Sequence, residues 1–277
     1  MSGIKTMGLY GNVERVLADL ASIGIDDDAP LRVEDLVAFD QYHYHGAGAV
    51  DVAAAALAAA EGSSVLDVGA GLGGPARYLA DRTGASVTAL ELQSDLHDVG
   101  ADLTRRCGLD GQVSHVQGDI LEPATMAALG HGGFDSMMSM LCILHIPNRP
   151  RLFEQCASAL RPGARVFIED YYALGDFTDH ERTLLDVDVS CPYLPDLDTY
   201  RGHLEDAGFV DIGIEDMTED WTSFVGERLD AFRAAQPELI ERYNLDTVQS
   251  LDGFYDAVAQ LFEGGNLGGL RLTATRS

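Results

Sequence analysis

The stretch Val65-Leu66-Asp67-Val68-Gly69-Ala70-Gly71-Leu72-Gly73-Gly74 constrains the fold of this chain more than any other. An apolar run of strand length, with an acid near its end, passes directly into a glycine-rich turn and a helix. Glycines there let the backbone approach a ligand with no Cβ in the way, and the first turn of the following helix offers unpaired N–H groups. A turn of this kind belongs at the carboxyl edge of a parallel sheet.

The rest of the chain supplies that sheet. Strands are expected at Ser64–Val68, Ser86–Glu91, Val113–Gln117, Phe134–Met140 and Arg165–Asp170, separated by helical stretches near Gly74–Arg82, Leu92–Cys107, Met126–Leu129 and Arg151–Leu160. Alternation of short apolar runs with amphipathic stretches predicts an α/β fold whose parallel sheet is covered on both faces. Arg161-Pro162-Gly163 closes a helix and turns into the fifth strand. Beyond it the spacing lengthens, and residues 171–208 read as an active-site insertion ending in a helix at Leu197–Ala207 capped by Gly208. A strand at Val210–Asp216, helices at Ser223–Asn244 and Val248–Phe262, and a last strand at Gly269–Arg276 complete the chain. Before the sheet, Val13, Val16, Leu17, Leu20 and Ile23 recur at helical spacing. Residues 1–50 therefore read as an N-terminal helical lid, and 51–277 as the main domain.

Charge excludes several partner classes. With 18 basic against 45 acidic residues the formal charge is −27, which repels nucleic acid and anionic membranes. Lys5 is the only lysine. Cys107, Cys142, Cys156 and Cys191 are scattered, without C-x-x-C pairs, which indicates neither a disulfide framework nor a metal cluster. The alanine-rich stretch from Val52 to Ala60 is too short to span a bilayer. A cytoplasmic protein, monomeric or homodimeric, with a small-molecule partner is expected.

The glycine turn also satisfies G-x-G-x-x-G, so a nicotinamide dinucleotide is one candidate ligand and an oxidoreductase one candidate activity. Three neighbours argue for a different nucleotide. Asp67 would meet a pyrophosphate as a like charge, whereas the amino-acid end of S-adenosylmethionine is cationic. Glu91, at the end of the second strand, can accept both ribose hydroxyl protons. Gly118-Asp119-Ile120 follows the third strand, with a carboxylate and an apolar residue where an adenine could be held.

From Asp67 through Asp170 the chain resembles the class I S-adenosylmethionine-dependent methyltransferases, in motif and in strand order. That resemblance implies a Rossmann-like seven-stranded sheet, and the run Gly264-Gly265-Asn266-Leu267-Gly268-Gly269 is similar to the hairpin that gives this fold its antiparallel last strand. The implied cofactor set is Gln41, Asp67, Gly69, Gly71, Gly73, Glu91, Leu92, Asp119, Ile120 and Met140, with Gln41 at the methionine end. Asp40-Gln41-Tyr42-His43, Gly73-Gly74-Pro75-Ala76-Arg77-Tyr78-Leu79, Leu144-His145-Ile146 and Ile168-Glu169-Asp170-Tyr171-Tyr172 also resemble small-molecule N-methyltransferases acting on sarcosine, dimethylglycine or phosphoethanolamine. In the phosphoethanolamine enzymes the resemblance implies a tyrosine near the N-terminus and a histidine after the fourth strand working together, matched here by Tyr42 (or Tyr44) and His145. Those enzymes hold phosphate with basic residues including a lysine, and this chain has none beyond Lys5. An amino-acid carboxylate held by Arg201 or Arg271 is thus the expected anchor.

His145 sits just past the fourth strand, where an imidazole can orient or deprotonate an acceptor; capping the next helix is the structural alternative. Tyr44, Tyr171, Tyr172, Tyr193, Arg201 and Asn266 form the expected acceptor set, with Tyr200 and Trp221 as further candidates for an aromatic box around a methylated cation. Asp170 can orient one of these tyrosines or simply end its strand. His43 and His45 alternate as metal ligands would in an extended segment, but no third ligand accompanies them, so no metal is expected. The activity expected is methyl transfer from S-adenosylmethionine to a small polar acceptor, foremost an amino-acid amine. Transfer to sulfur, oxygen or carbon of a small acid or natural product is the alternative.

Overall fold

β1 (Ser64–Val68) is buried along almost its whole length, as a strand must be when both faces of its sheet are covered. In a computed structural model that describes residues 9–277, it lies near the middle of a seven-stranded sheet. Three helices precede it: α1 (Arg15–Ser22), α2 (Val33–Leu36) and α3 (Gly46–Leu57). After β1 the elements alternate as α4 (Gly74–Thr83), β2 (Ser86–Glu91), α5 (Ser94–Arg106), β3 (Val113–Gln117), α6 (Pro123–Leu129), β4 (Phe134–Met140), α7 (Arg149–Ala159) and β5 (Leu160–Ala173). An irregular segment carries the short α8 (Asp179–Thr183). The chain closes with α9 (Leu197–Asp206), β6 (Phe209–Asp216), α10 (Thr218–Arg242), α11 (Leu245–Glu263) and β7 (Leu267–Arg276).

The strand order is β3-β2-β1-β4-β5-β7-β6. The first five strands pair in parallel, and β7 runs antiparallel between β5 and β6. This is the Rossmann-like seven-stranded sheet, with an antiparallel last strand, that the resemblance implies. The order reverses between β1 and β4, so the carboxyl ends of these strands open a crevice, the usual ligand position in such sheets.

Two details differ from the expected outline. Arg161-Pro162-Gly163 lies inside β5, where the pairing with β4 shifts register between Leu160 and Arg165, so the proline and glycine make an irregularity in the strand. The glycine-rich run before β7 is a helix exit: Gly264 caps α11 and Gly265, at φ 78°, turns into the strand. β6 and β7 are joined by the α10–α11 pair instead of a hairpin. Those two helices pack along each other and over the carboxyl edge of the sheet, joining Trp221, Val225, Leu251, Phe254 and Phe262 to Tyr44 and Tyr171 in one apolar cluster. A second apolar cluster docks α1 and α2 against Leu72, Leu96 and Leu103. No described helix is long and apolar enough to cross a membrane.

The segment between α2 and α3 is fastened from below. Arg77 of α4, fully buried, donates to Asp40 at 2.9 Å and, through its other terminal nitrogen, to the Gly100 carbonyl and Thr104 at 3.0 Å each. A Cβ on Gly74 would lie 2.3 Å from the Asp40 carbonyl oxygen, so glycine is required for this close approach. Removing one partner of a buried ion pair costs about 3–5 kcal/mol. Gln41 through His45 are thereby held over the first turn of α4.

Candidate active site

The glycine turn has the backbone its sequence demands. Gly69, Gly71 and Gly73 all have positive φ, at 78°, 55° and 73°. A Cβ on Gly69 would lie 2.0 Å from Cys142 Sγ, and one on Gly73 would meet His115. The Gly71 N–H donates to Glu91 at 2.9 Å, and the Gln93 N–H donates to the other oxygen of the same carboxylate at 2.8 Å. Glu91 thus ties the first glycine turn to the end of β2.

A cavity of about 310 Å³ opens beside this turn. Gly69, Gly71, Glu91, Leu92, Asp119 and Ile120 all line it, together with Gln93, Leu96, Cys142, Ile146 and Pro147. Asp119 accepts the Leu121 N–H at 2.8 Å, which fixes its carboxylate at the rim. Among the described residues, every ionisable side chain here other than His145, Tyr10 and Cys142 is an acid, and no arginine reaches the wall. Asp67 lies under the turn, fully buried, with one carboxylate oxygen unpartnered. Burial, reinforced by the nearby Glu91 charge, pushes its carboxyl up to about 8.

A second cavity of about 400 Å³ adjoins the first, and Tyr10 and His145 line both. Its wall comes from α1, residues 37–46, the turn after β4, and α10 with α11. His145 stands on a 3-10 turn at Ile143–His145, and its Nδ1 lies 3.0 Å from the Ser190 carbonyl. That acceptor places the proton on Nδ1 and leaves the Nε2 lone pair available. Burial, with the Arg149 charge beside it, lowers the imidazole to about 4, so it is neutral at physiological pH. Tyr42 contributes a buried hydroxyl without a partner among the described residues, and the Arg15 guanidinium stands 4.8 Å from its ring centre. Tyr44 and Tyr171 join hydroxyl to hydroxyl across the cavity wall.

Several expected site residues lie elsewhere. Met140 packs in the core with Val65, Met138 and Phe167, and Leu141 and Cys142 take its place at the cavities. Gln41 lines the second cavity, its amide 2.8 Å from both Asp40 and His43. Tyr172 points away from Tyr171, as alternation along β5 requires, and its ring covers Gly268. Tyr193 stands at a separate hollow within the insertion, its hydroxyl 3.4 Å from His203. Arg201 donates to the Ile212 carbonyl, Arg271 pairs with Glu169 and Glu215, and Asn266 donates to Glu181; none of the three reaches a cavity.

Tyr200 and Trp221 are buried in the core: the first donates to Asp170 at 2.9 Å, the second packs on Gly269 and edge-on to Tyr44. His43 and His45 also part company, because His45 adopts φ 58° at the start of α3 and turns to Asp220 at 2.6 Å, while His43 is buried against Gln41 and the Tyr44 carbonyl.

The cavity wall also holds residues that sequence reasoning passed over. Arg15, Phe224, Arg228, Phe254 and Tyr255 all face the second cavity. Arg228 had a readable signal: it stands among Trp221, Phe224, Val225 and Phe232 at helical spacing, a charge inside an apolar stripe.

Residues 65–163 match the family model described as a methyltransferase domain. The chain carries a methyltransferase domain. Around that domain, the chain is 30% identical over 185 residues to methyltransferase GfsG of Streptomyces halstedii, covering 65% of this chain and 64% of that protein. It is 31% identical over 158 residues to the sarcosine/dimethylglycine N-methyltransferase of Halorhodospira halochloris, covering 56% and 54%. Phosphoethanolamine N-methyltransferase 2 of Haemonchus contortus, solved with phosphomonomethylethanolamine and S-adenosylhomocysteine, superposes with a TM-score of 0.73 at 22% identity over 82% of this chain and 52% of that one. That last likeness is one of fold. The chain spans less than two thirds of the length of the curated relatives first matched. The matched stretch contains the glycine turn, Glu91, Asp119 and His145, whereas α1, α10 and α11 lie outside it.

Proposed function

We propose that this chain is an S-adenosylmethionine-dependent methyltransferase acting on a small organic acceptor. One observation carries the reading: an acid-lined nucleotide cavity and a second cavity of comparable size share the wall formed by Tyr10 and His145. Two ligands bound there would meet at a neutral imidazole. The fit to the cofactor is tested by charge and by an orphaned atom. The unpartnered carboxylate oxygen of Asp67 beneath the turn suits a cationic amino-acid end, and the arginine-free wall is unsuited to the pyrophosphate of a nicotinamide dinucleotide.

In this reading Glu91 receives the ribose hydroxyls, Asp119 and Ile120 receive the adenine, and the N–H groups of the glycine turn and Asp67 receive the amino-acid end. When bound, S-adenosylmethionine supplies an electrophilic methyl group on a sulfonium. The chain supplies alignment and a dry site, which are the main demands of an in-line displacement. His145 Nε2, held in its tautomer by the Ser190 carbonyl, accepts the proton of an acceptor hydroxyl, thiol or neutral amine. A hydroxyl or thiol attacks with a lone pair and gives up its proton as positive charge develops on it, which suits a weak base, whereas an ammonium ion has to lose its proton before it can attack, which so weak a base disfavours.

The relatives named for an acceptor point to amines, phosphoethanolamine in some and sarcosine or dimethylglycine in others. The second cavity favours the other class, transfer to oxygen, sulfur or carbon of a small acid or natural product. Beside Arg15, Arg228 and Arg242 its wall includes Leu9, Val37, Phe39, Leu144, Leu251 and Phe254, an apolar surface that a small zwitterion would leave uncovered. The deciding experiment incubates the protein with methyl-labelled S-adenosylmethionine and a panel of amino acids, phosphoethanolamine, phenols, thioethers and apolar acids. Label appearing on an oxygen, sulfur or carbon acceptor is the expected result. Label only on glycine, sarcosine or dimethylglycine would restore the amine reading, and no label on any acceptor would count against methyl transfer.

A further inference from the structure

Two arginines face the second cavity without a carboxylate partner among the described residues. Arg15, from α1, is only 6% exposed, and its NH1 has no hydrogen-bond partner among the described residues. Arg228, from α10, has its buried Nε and NH2 likewise unpartnered, and its guanidinium stands 4.6 Å from the Tyr255 ring centre and 5.0 Å from that of Tyr44. The third arginine of the wall, Arg242, is paired with Asp19 at 3.0 Å and also with Glu238. Asp19 is the one acid of that wall among the described residues, and it also accepts from Tyr243.

Burying a guanidinium without a partner is costly, and a chain with a formal charge of −27 has acids to spare for neutralising one. Aromatic faces hold Arg15 and Arg228 in place, with the Tyr42 and Tyr44 hydroxyls near them, and leave Arg15 NH1 and Arg228 Nε and NH2, part of their N–H forks, without a hydrogen-bond partner among the described residues. Planar forks of this kind match the two oxygens of a carboxylate or phosphate. Tyr42 adds a buried, unpartnered hydroxyl beside Arg15. Besides this group and His145, the cavity is lined by Leu141, Leu144 and Val189 among other aliphatic and aromatic side chains.

Building on the methyltransferase reading, we infer that the acceptor is an amphipathic organic oxyanion. Its carboxylate or phosphate ester docks on Arg15, Arg228 and Tyr42, and its apolar body reaches toward His145, where the reacting atom lies. A zwitterion as small as sarcosine fills little of such a space and leaves the apolar wall wet.

Calorimetric titration of the full chain, with and without saturating S-adenosylhomocysteine, tests the inference with four probes: 3-phenylpropanoate, octanoate, phenyl phosphate and the neutral 3-phenylpropanol. At least one anion is expected to bind about tenfold or more tightly than the alcohol, the scale of a lost charge-assisted hydrogen bond. Preference for the carboxylates or for phenyl phosphate identifies the anionic group. Arg15→Gln and Arg228→Gln are each expected to weaken that anion about tenfold or more while S-adenosylhomocysteine affinity stays within about twofold, and Arg228→Lys to recover part of the loss. Equal binding of acid and alcohol, indifference to both glutamine variants, or no anion binding at all would overturn the inference. Absence of S-adenosylhomocysteine binding would overturn the cofactor reading alone and leave the anion titrations interpretable.

Discussion

The two cavities meet at one histidine yet are built in opposite ways. The nucleotide cavity is made of the glycine turn, three acids and apolar side chains, all but Tyr10 drawn from the ends of β1, β2, β3 and β4 and the segments that follow them. The acceptor cavity is made of side chains from α1, residues 37–46, α10 and α11, elements far apart in sequence, and it carries arginines where the other carries carboxylates. Backbone recognition leaves little freedom in sequence, because a turn that needs positive φ tolerates almost nothing but glycine. Side-chain recognition can be rebuilt with many residue combinations. One half of the site is therefore constrained by its ligand's fixed shape, and the other is open to change.

Substitutions separate the two halves most clearly at the turn. Gly69→Ala imposes left-handed strain of about 1–2 kcal/mol and overlap with Cys142 worth about 1–3 kcal/mol. S-adenosylhomocysteine affinity is expected to fall about a hundredfold, measured by titration; unchanged affinity would take the turn out of the nucleotide site. His145→Ala stands at the junction and is expected to lower turnover at least about tenfold with cofactor affinity nearly intact. Equal turnover would remove His145 from the reaction.

The same residue makes a pH prediction. A base acts in its neutral form, and burial holds this imidazole near 4, so the rate should lack a limb at the ordinary histidine value and fall only as the pH approaches about 4. An acid limb centred near 6.5 that disappears in His145→Ala would contradict that assignment.

Within the acceptor half, Tyr171→Phe removes the hydroxyl paired with Tyr44 and should raise KM about fivefold while sparing kcat, on the scale of one hydrogen bond. Steady-state kinetics read the split, and a fall in kcat alone would argue against a binding role.

The smallest expected effect belongs to Asp67. Its carboxyl, held near 8, is largely protonated at pH 7, and a cationic ligand group favours its ionised form. Cofactor binding should therefore release up to one proton at pH 7, seen as a dependence of the binding heat on buffer ionisation enthalpy. Asp67→Asn should lose that release, and its persistence would assign the proton to another group.

The difference between the halves also explains what could be read from sequence. All seven strands are recognisable from apolar runs and turn residues, since each strand answers to local patterning. Gly69, Gly71, Glu91 and Asp119 are each marked by a local motif at the end of a strand, and the four line one cavity. Tyr171 was separable from Tyr172 only by knowing which face of β5 the cavity occupies, and both remained candidates. Arg201 and Arg271 are plausible anchors by charge alone, whereas their partners, a carbonyl of β6 and two glutamates, are tertiary facts. Arg15 and Arg228 converge on one cavity from positions more than two hundred residues apart, a juxtaposition that no local pattern encodes.

The buried pairing of Arg77 with Asp40 bears on how such a site changes over time. By anchoring residues 40–45 to the helix after the glycine turn, it makes that stretch inherit the nucleotide site's rigidity. New acceptors are then acquired most readily by remodelling α10 and α11, which lie outside the stretch that matches the methyltransferase model and can drift in sequence while the catalytic junction keeps its place.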